Sequence, residues 1–247
     1  MSTSTQAQTD HRPHHAALLQ LAIVIVAPSL GALSALWIWP GPVGGALYAL
    51  CKLVLYGVPL WILWRQLGVF RLLAWPFSQA RSSVLLAGLI SGGVIGAGIW
   101  LLWKFVLAGR ADVTPLIDVM IQNGMDNPLK FWVFAAWLCL VNSLLEEIVF
   151  RWYVDTRLES IGFSIVLVLP VSAFIFTAHH IIVLSAYFSW PLVVLGSAGV
   201  FCGGVIWSVL RMRYATLLPG WISHALVDVS VVVIGWSILE STIPTAP

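Results

Sequence analysis

Two carboxylates stand side by side in a stretch otherwise almost free of charge, Asn142-Ser-Leu-Leu-Glu146-Glu147-Ile-Val-Phe-Arg151. Arg151 follows Glu147 by four residues, so on a helix the two share a face and pair, while Glu146 is turned about 100° away. One carboxylate is thereby neutralised and the other is left available. Two more clusters carry ionisable groups: Phe174-Ile-Phe176-Thr-Ala-His179-His180, and Leu218-Pro219-Gly220-Trp221-Ile-Ser-His224-Ala-Leu-Val-Asp228. His224 and Asp228 are again four apart. Acids and imidazoles from three segments, brought to one wet cavity, have the donors and acceptors that acid–base or metal chemistry requires.

The elements that must position them are membrane helices. Sixty per cent of the 247 residues are apolar, 9% are charged, and the mean hydropathy is +0.96, which excludes an ordinary soluble domain. Apolar runs of roughly 20 residues recur, and a helix is the open-chain element that satisfies its own backbone in hydrocarbon. The short alternating segments of a membrane β-barrel are missing. The pattern predicts an all-α, polytopic transmembrane bundle of seven to eight spans, with seven placed at 17–39, 43–63, 83–107, 129–153, 161–184, 191–210 and 221–239. Residues 1–15, with Arg12 and the histidines His11, His14 and His15, read as a polar cytoplasmic tail. Residues 16–247 form one transmembrane domain, whose motif-bearing core covers about 129–240.

Helix ends carry Trp37, Trp39, Trp61, Trp64, Trp100, Trp103, Trp132, Trp152 and Trp190, the depths at which indole forms interfacial belts. Loop charges are uneven: Arg12, Arg65, Arg71, Arg81, Arg157, Arg211 and Arg213 fall on the side of the N-terminus, against Arg110 and Lys130 on the other. The positive-inside rule therefore puts the N-terminus in the cytoplasm. Lys52 and Lys104 are expected to snorkel to the interface. Gly88, Gly92 and Gly96, and separately Gly199 and Gly203, form G-x-x-x-G steps that read as close packing inside the bundle, with a homodimer contact as the alternative. The link of about twenty residues after the third span is expected to hold a short interfacial helix or a lid. Cys51, Cys139 and Cys202 have no paired spacing and read as small buried hydrophobes. The basic residues are scattered, which speaks against nucleic acid as a partner.

Taken in order, E-E-x-x-x-R at Glu146, Glu147 and Arg151, F-x-x-x-H at Phe176 and His180, and H-x-x-x-D at His224 and Asp228 resemble the CAAX prenyl protease and bacteriocin-processing (CPBP, or Abi) family. The approach to the last motif, Arg213-Tyr-Ala-Thr-Leu-Leu-Pro219-Gly220-Trp-Ile-Ser-His224, is similar to the family's usual lead-in. The resemblance covers residues 142–228. It implies a glutamic-type intramembrane endopeptidase, without a cofactor, in which Glu146 and His180 activate a water while His224 and Asp228 stabilise the oxyanion. An ionised carboxylate beside an imidazole suits the first task. Family members often carry Asn where Asp228 stands. An ionised Asp only accepts hydrogen bonds, so Asp228 either carries a proton or orients His224 as an acceptor, and the orienting role is the expected one. Glu147, Arg151, Phe176 and His179 are expected as supports, with His179 lining a helix interface.

A metal mechanism is the rival within the enzyme reading, since Glu146, His180 and His224 make a three-ligand zinc set, although the chain has no H-E-x-x-H. The alternatives outside it are a non-catalytic membrane immunity scaffold and a proton-coupled transporter, for which paired half-repeats are missing. The expected partners are membrane lipid and a membrane-associated protein or peptide substrate.

Overall fold

The structure, a computed structural model, describes residues 12–67 and 80–242, with side chains described over 18–66 and 80–242. Seven of its helices are long and apolar enough to cross a bilayer: α1 (Leu18–Ile38), α2 (Pro42–Gln66), α3 (Ser82–Leu107), α5 (Pro128–Ser160), α6 (Ile165–Ser185), α7 (Trp190–Tyr214) and α8 (Leu218–Glu240). A short helix, α4 (Thr114–Gln122), lies between α3 and α5. The protein is an integral, multi-pass, all-helical membrane protein, with no strand among the described residues. The expected spans are recovered, with two differences of extent. The helix leading into α1 starts at Arg12, inside the expected tail, and α5 runs on to Ser160 because Asp155, polar enough to read as a loop, is buried in the bundle. His11 and Arg71, and the side chains of Arg12, His14 and His15, lie outside what is described.

Helix α5 is the axis of the bundle: half of its most apolar stretch is buried by other helices, against 22–39% in the other spans. Two apolar clusters grip it at different heights. Phe131, Ala135 and Cys139 pack with Val232 and Leu239 of α8, and Val149, Phe150, Tyr153 and Val154 pack with residues of α1, α2, α6 and α7, among them Phe176 and Trp207. Glu146 and Glu147 fall between the two.

The glycine stripe of α3 seats α8. A methyl placed on Gly92 would lie 2.8 Å from both the Cα and the carbonyl oxygen of Ser223, one on Gly88 would lie 2.8 Å from the Pro219 carbonyl, and one on Gly96 would meet Ser230 Oγ. Such backbone approach is what small residues four apart permit. The α7 glycines behave differently: nothing lies within 4 Å of a methyl on Gly199, and Gly203 faces only the Trp207 ring of its own helix. Gly92→Val is therefore expected to push α8 and His224 off α3 at about 1–3 kcal/mol or more, lowering the thermal midpoint in detergent. Gly199→Val should leave that midpoint unchanged. Equal midpoints for the two variants would refute the seam.

The short helix α4 is no lid over the carboxylates. Ile117 and Met120, with Met125 beyond its end, pack on the cluster of Phe131 and Val232 at the far end of α5 and α8. Asp112 Oδ1 accepts from the Thr114 backbone N–H at 3.0 Å, which starts the helix and holds that exposed carboxyl below its ordinary value. Cys139 is buried as expected, but Cys202 is exposed on α7. Trp152 also turns inward, against Ile148 and Leu217.

Candidate active site

Helix α5 is not uniform where it carries the acids. Its turns widen to π-helical geometry over Trp137–Asn142 and again over Glu147–Val154, with one α-helical turn, Ser143–Glu146, between them. Such widened turns are rare and concentrate at functional sites. No residue type in the segment announces them.

Glu146 is 5% exposed and Glu147 1%. Glu147 pairs with Arg151 as expected, Oε1 to Nε at 3.8 Å, and the same oxygen is 3.0 Å from Nδ1 of His224. Two charged or polar partners thus share one carboxylate oxygen. A methyl on Gly220 would lie 2.7 Å from Glu147 Oε2, so the Pro219-Gly220 lead-in leaves room for this carboxylate. Arg151, fully buried, also reaches Ser172 of α6 and Ser208 of α7, each at 3.5 Å. Its guanidinium lies 4.9 Å from the Phe176 ring centre, and Asp155 stands as a second acid against it. One arginine thereby ties three spans together.

His224 is 4% exposed, and its ring lies parallel to that of Trp207 at 3.9 Å, the indole in turn donating to Ser223 Oγ at 3.1 Å. With Nδ1 on Glu147, Nε2 faces Glu146 Oε2 at 3.7 Å and Asp228 Oδ1 at 3.8 Å. The orienting hydrogen bond expected of Asp228 is thus made by Glu147, and Asp228 lies on the other side of the ring. Register explains the exchange: four residues along one helix bring Asp228 near His224, but the close α3–α8 seam aims Nδ1 at α5.

His180 Nδ1 lies 3.0 Å from the Phe176 carbonyl, an acceptor only, so that nitrogen carries the proton and Nε2 presents its lone pair. The F-x-x-x-H spacing therefore selects a tautomer. Phe176, 1% exposed, joins the halves of the site: its ring centre is 4.6 Å from that of His180 and 5.9 Å from that of His224. Glu146 lies within electrostatic reach of both imidazoles. His179 is buried against Phe150 and Phe176, lining the helix interface as expected. The three motif segments meet in one place.

Residues 128–230 match the family described as Rce1-like, type II CAAX prenyl endopeptidase Rce1-like. Over that stretch the chain is similar to the CAAX prenyl endopeptidases. No curated protein and no solved structure matches the chain. The match takes in α5 to α7 and the part of α8 that bears His224 and Asp228, and it leaves α1 to α4 outside.

The site nevertheless extends beyond the matched stretch. Lys52 does not snorkel: its Nζ turns inward, 2.9 Å from Tyr56 Oη and 3.8 Å from Glu146 Oε1. Tyr56 Oη donates to Asn142 Oδ1 at 2.8 Å, and Asn142 Nδ2 donates to Glu146 Oε1 at 3.0 Å. Sequence reasoning passed over Tyr56, Asn142 and Trp207. The available signal was a lysine and a tyrosine four apart in an apolar helix, and an asparagine four residues before Glu146. Lys104, by contrast, is exposed at the end of α3, over the Trp100 ring at 4.7 Å. Among the described residues, no three His, Cys, Asp or Glu side chains are placed to hold a metal ion.

Proposed function

We propose that the protein is a glutamic-type intramembrane endopeptidase acting on the C-terminal region of a membrane-associated protein or peptide. The observation that carries this reading is the meeting of Glu146 with His180 and His224, from three different spans, the two imidazoles lying on one buried ring, Phe176. Groups this expensive to hold at membrane depth need a partner or a task.

In the proposed reaction Glu146 Oε2 and His180 Nε2 hold a water between them. The water oxygen bonds to the scissile carbonyl carbon as its proton passes to Glu146. His224, as an imidazolium matched by Glu147, donates from Nε2 to the developing oxyanion, and a protonated Asp228 donates from the other side. The C–N bond then breaks, and the proton on Glu146 goes to the leaving amine. Terminal proteomics of membranes carrying wild-type protein or Glu146→Gln tests the reading: uncleaved C-terminal or transmembrane fragments should accumulate with the variant, and identical fragment sets would sink it.

Asp228→Asn separates the two roles open to that residue. An amide donates to an oxyanion without needing a proton, so activity should be kept or raised. A fall of about tenfold or more in kcat would return Asp228 to the role of an orienting acceptor.

The charged helix ends favour an orientation with the start of α1 in the cytoplasm, since Arg65, Arg81, Arg157, Arg211 and Arg213 follow to the same side through alternating spans. A cysteine replacing Arg213 should resist membrane-impermeant reagents in intact cells and react once the membrane is opened; labelling in intact cells would reverse the topology.

A further inference from the structure

We propose that α2, outside the family match, supplies two positioning residues to the hydrolytic centre, Lys52 and Tyr56, which act through Asn142 on Glu146; this rests on Glu146 being the base of the peptidase. The direction of the chain is forced from both ends. An ammonium group only donates, so at 2.9 Å it is the Tyr56 oxygen that accepts. The single O–H of Tyr56 is then free for Asn142 Oδ1 at 2.8 Å, which sets the amide with Nδ2 towards Glu146 at 3.0 Å. At the far end the carboxylate accepts. Aligned donors of this kind polarise one another.

The consequence is a division of labour between the oxygens of Glu146. Oε1 receives the Asn142 amide and faces the Lys52 charge at 3.8 Å. Oε2 has neither and lies 3.7 Å from His224 Nε2, so Oε2 is the oxygen turned to the attacking water. Lys52 lies ten residues into a span whose neighbours are apolar, and its side chain is 20% exposed against 6% for Glu146. A lysine at that depth that bends inward rather than towards the interface has given up solvation. The ring centres of Tyr48 and Tyr56, 5.7 and 5.1 Å from Nζ, hold it there.

The test uses full-length protein in liposomes and a farnesylated peptide of CAAX type, with a fluorophore and a quencher flanking the scissile bond. Lys52→Met should lower kcat about ten- to a hundredfold with KM unchanged, because the interaction is made with the base and not with bound substrate. Lys52→Arg should restore most of the rate. Tyr56→Phe should lower kcat as well, and the double variant Lys52→Met/Tyr56→Phe should lose less than the product of the two single losses, since the two side chains are coupled through the Tyr56 oxygen. A wild-type kcat for Lys52→Met, a loss confined to KM, no rescue by arginine, or full additivity would each overturn the proposal. If Lys52→Met does not fold, Tyr56→Phe, which removes one oxygen atom, decides by the same split between kcat and KM. Glu146→Gln run alongside separates the two levels of failure. Cleavage surviving in Glu146→Gln defeats the peptidase reading itself, as wild-type inactivity on this peptide defeats its prenyl-peptide form, and the proposal falls with either. An inactive Glu146→Gln beside a Lys52→Met of wild-type kcat defeats the role of α2 alone.

Discussion

Glu146→Gln is expected to reduce cleavage to background while the protein remains folded. The amide keeps the shape of the carboxylate, and its oxygen still accepts from Asn142, so the packing between the two clusters of α5 is undisturbed. What it cannot do is take a proton from water. General acid–base help is worth roughly 10²–10⁴-fold, and a base whose removal also misplaces the attacking water loses orientation as well. The measurement is kcat on an identified substrate, together with a thermal midpoint in detergent within about a degree or two of wild type. A chelator control belongs beside it: a zinc enzyme loses activity when metal is removed, and the proposed mechanism does not. Wild-type turnover by Glu146→Gln would remove the mechanism whatever the family.

The second large effect is expected at Glu147, and it should fall on stability and activity together. Glu147 balances a fully buried guanidinium and grips His224 Nδ1 with the same oxygen. Breaking a buried ion pair from one side typically costs about 3–5 kcal/mol. Glu147→Gln should lie at the lower end of that range, because Asp155 remains against Arg151. Arg151→Met should be worse, since it takes the buried guanidinium away from both Glu147 and Asp155. In the double variant Glu147→Gln/Arg151→Met part of the stability should return and none of the activity lost in Glu147→Gln, because His224 still lacks its anionic partner. Unfolding free energies from denaturant titration in mixed micelles check the order. A Glu147→Gln protein as stable and as active as wild type would show that the pair matters to neither.

Much of this protein follows from its residues alone, for a physical reason. Lipid admits helices and leaves little else for twenty-residue apolar runs, so the seven spans, their all-helical class and their approximate ends could be read in advance. Spacings of four fix which side chains share a face of one helix, so the Glu147–Arg151 pair and the nearness of His224 to Asp228 were also accessible. The order of the three motifs carried the family resemblance.

Tertiary structure decided which face meets which helix, and there local spacing is silent. The α3 glycines were legible as a packing stripe, but that they seat Ser223, and so aim His224 Nδ1 at Glu147 rather than at Asp228, depends on a backbone approach between helices more than a hundred residues apart in the chain. Lys52 illustrates the same limit. Hydropathy assigns a lone lysine in a span to the interface, because the cost of burial is all that composition can register. Only the approach of α2 to α5 supplies the compensation, Tyr56, Asn142 and Glu146 within reach of one amine, that turns the side chain inward. The widened turns around Glu146 belong to that class too, since no single residue of α5 encodes them.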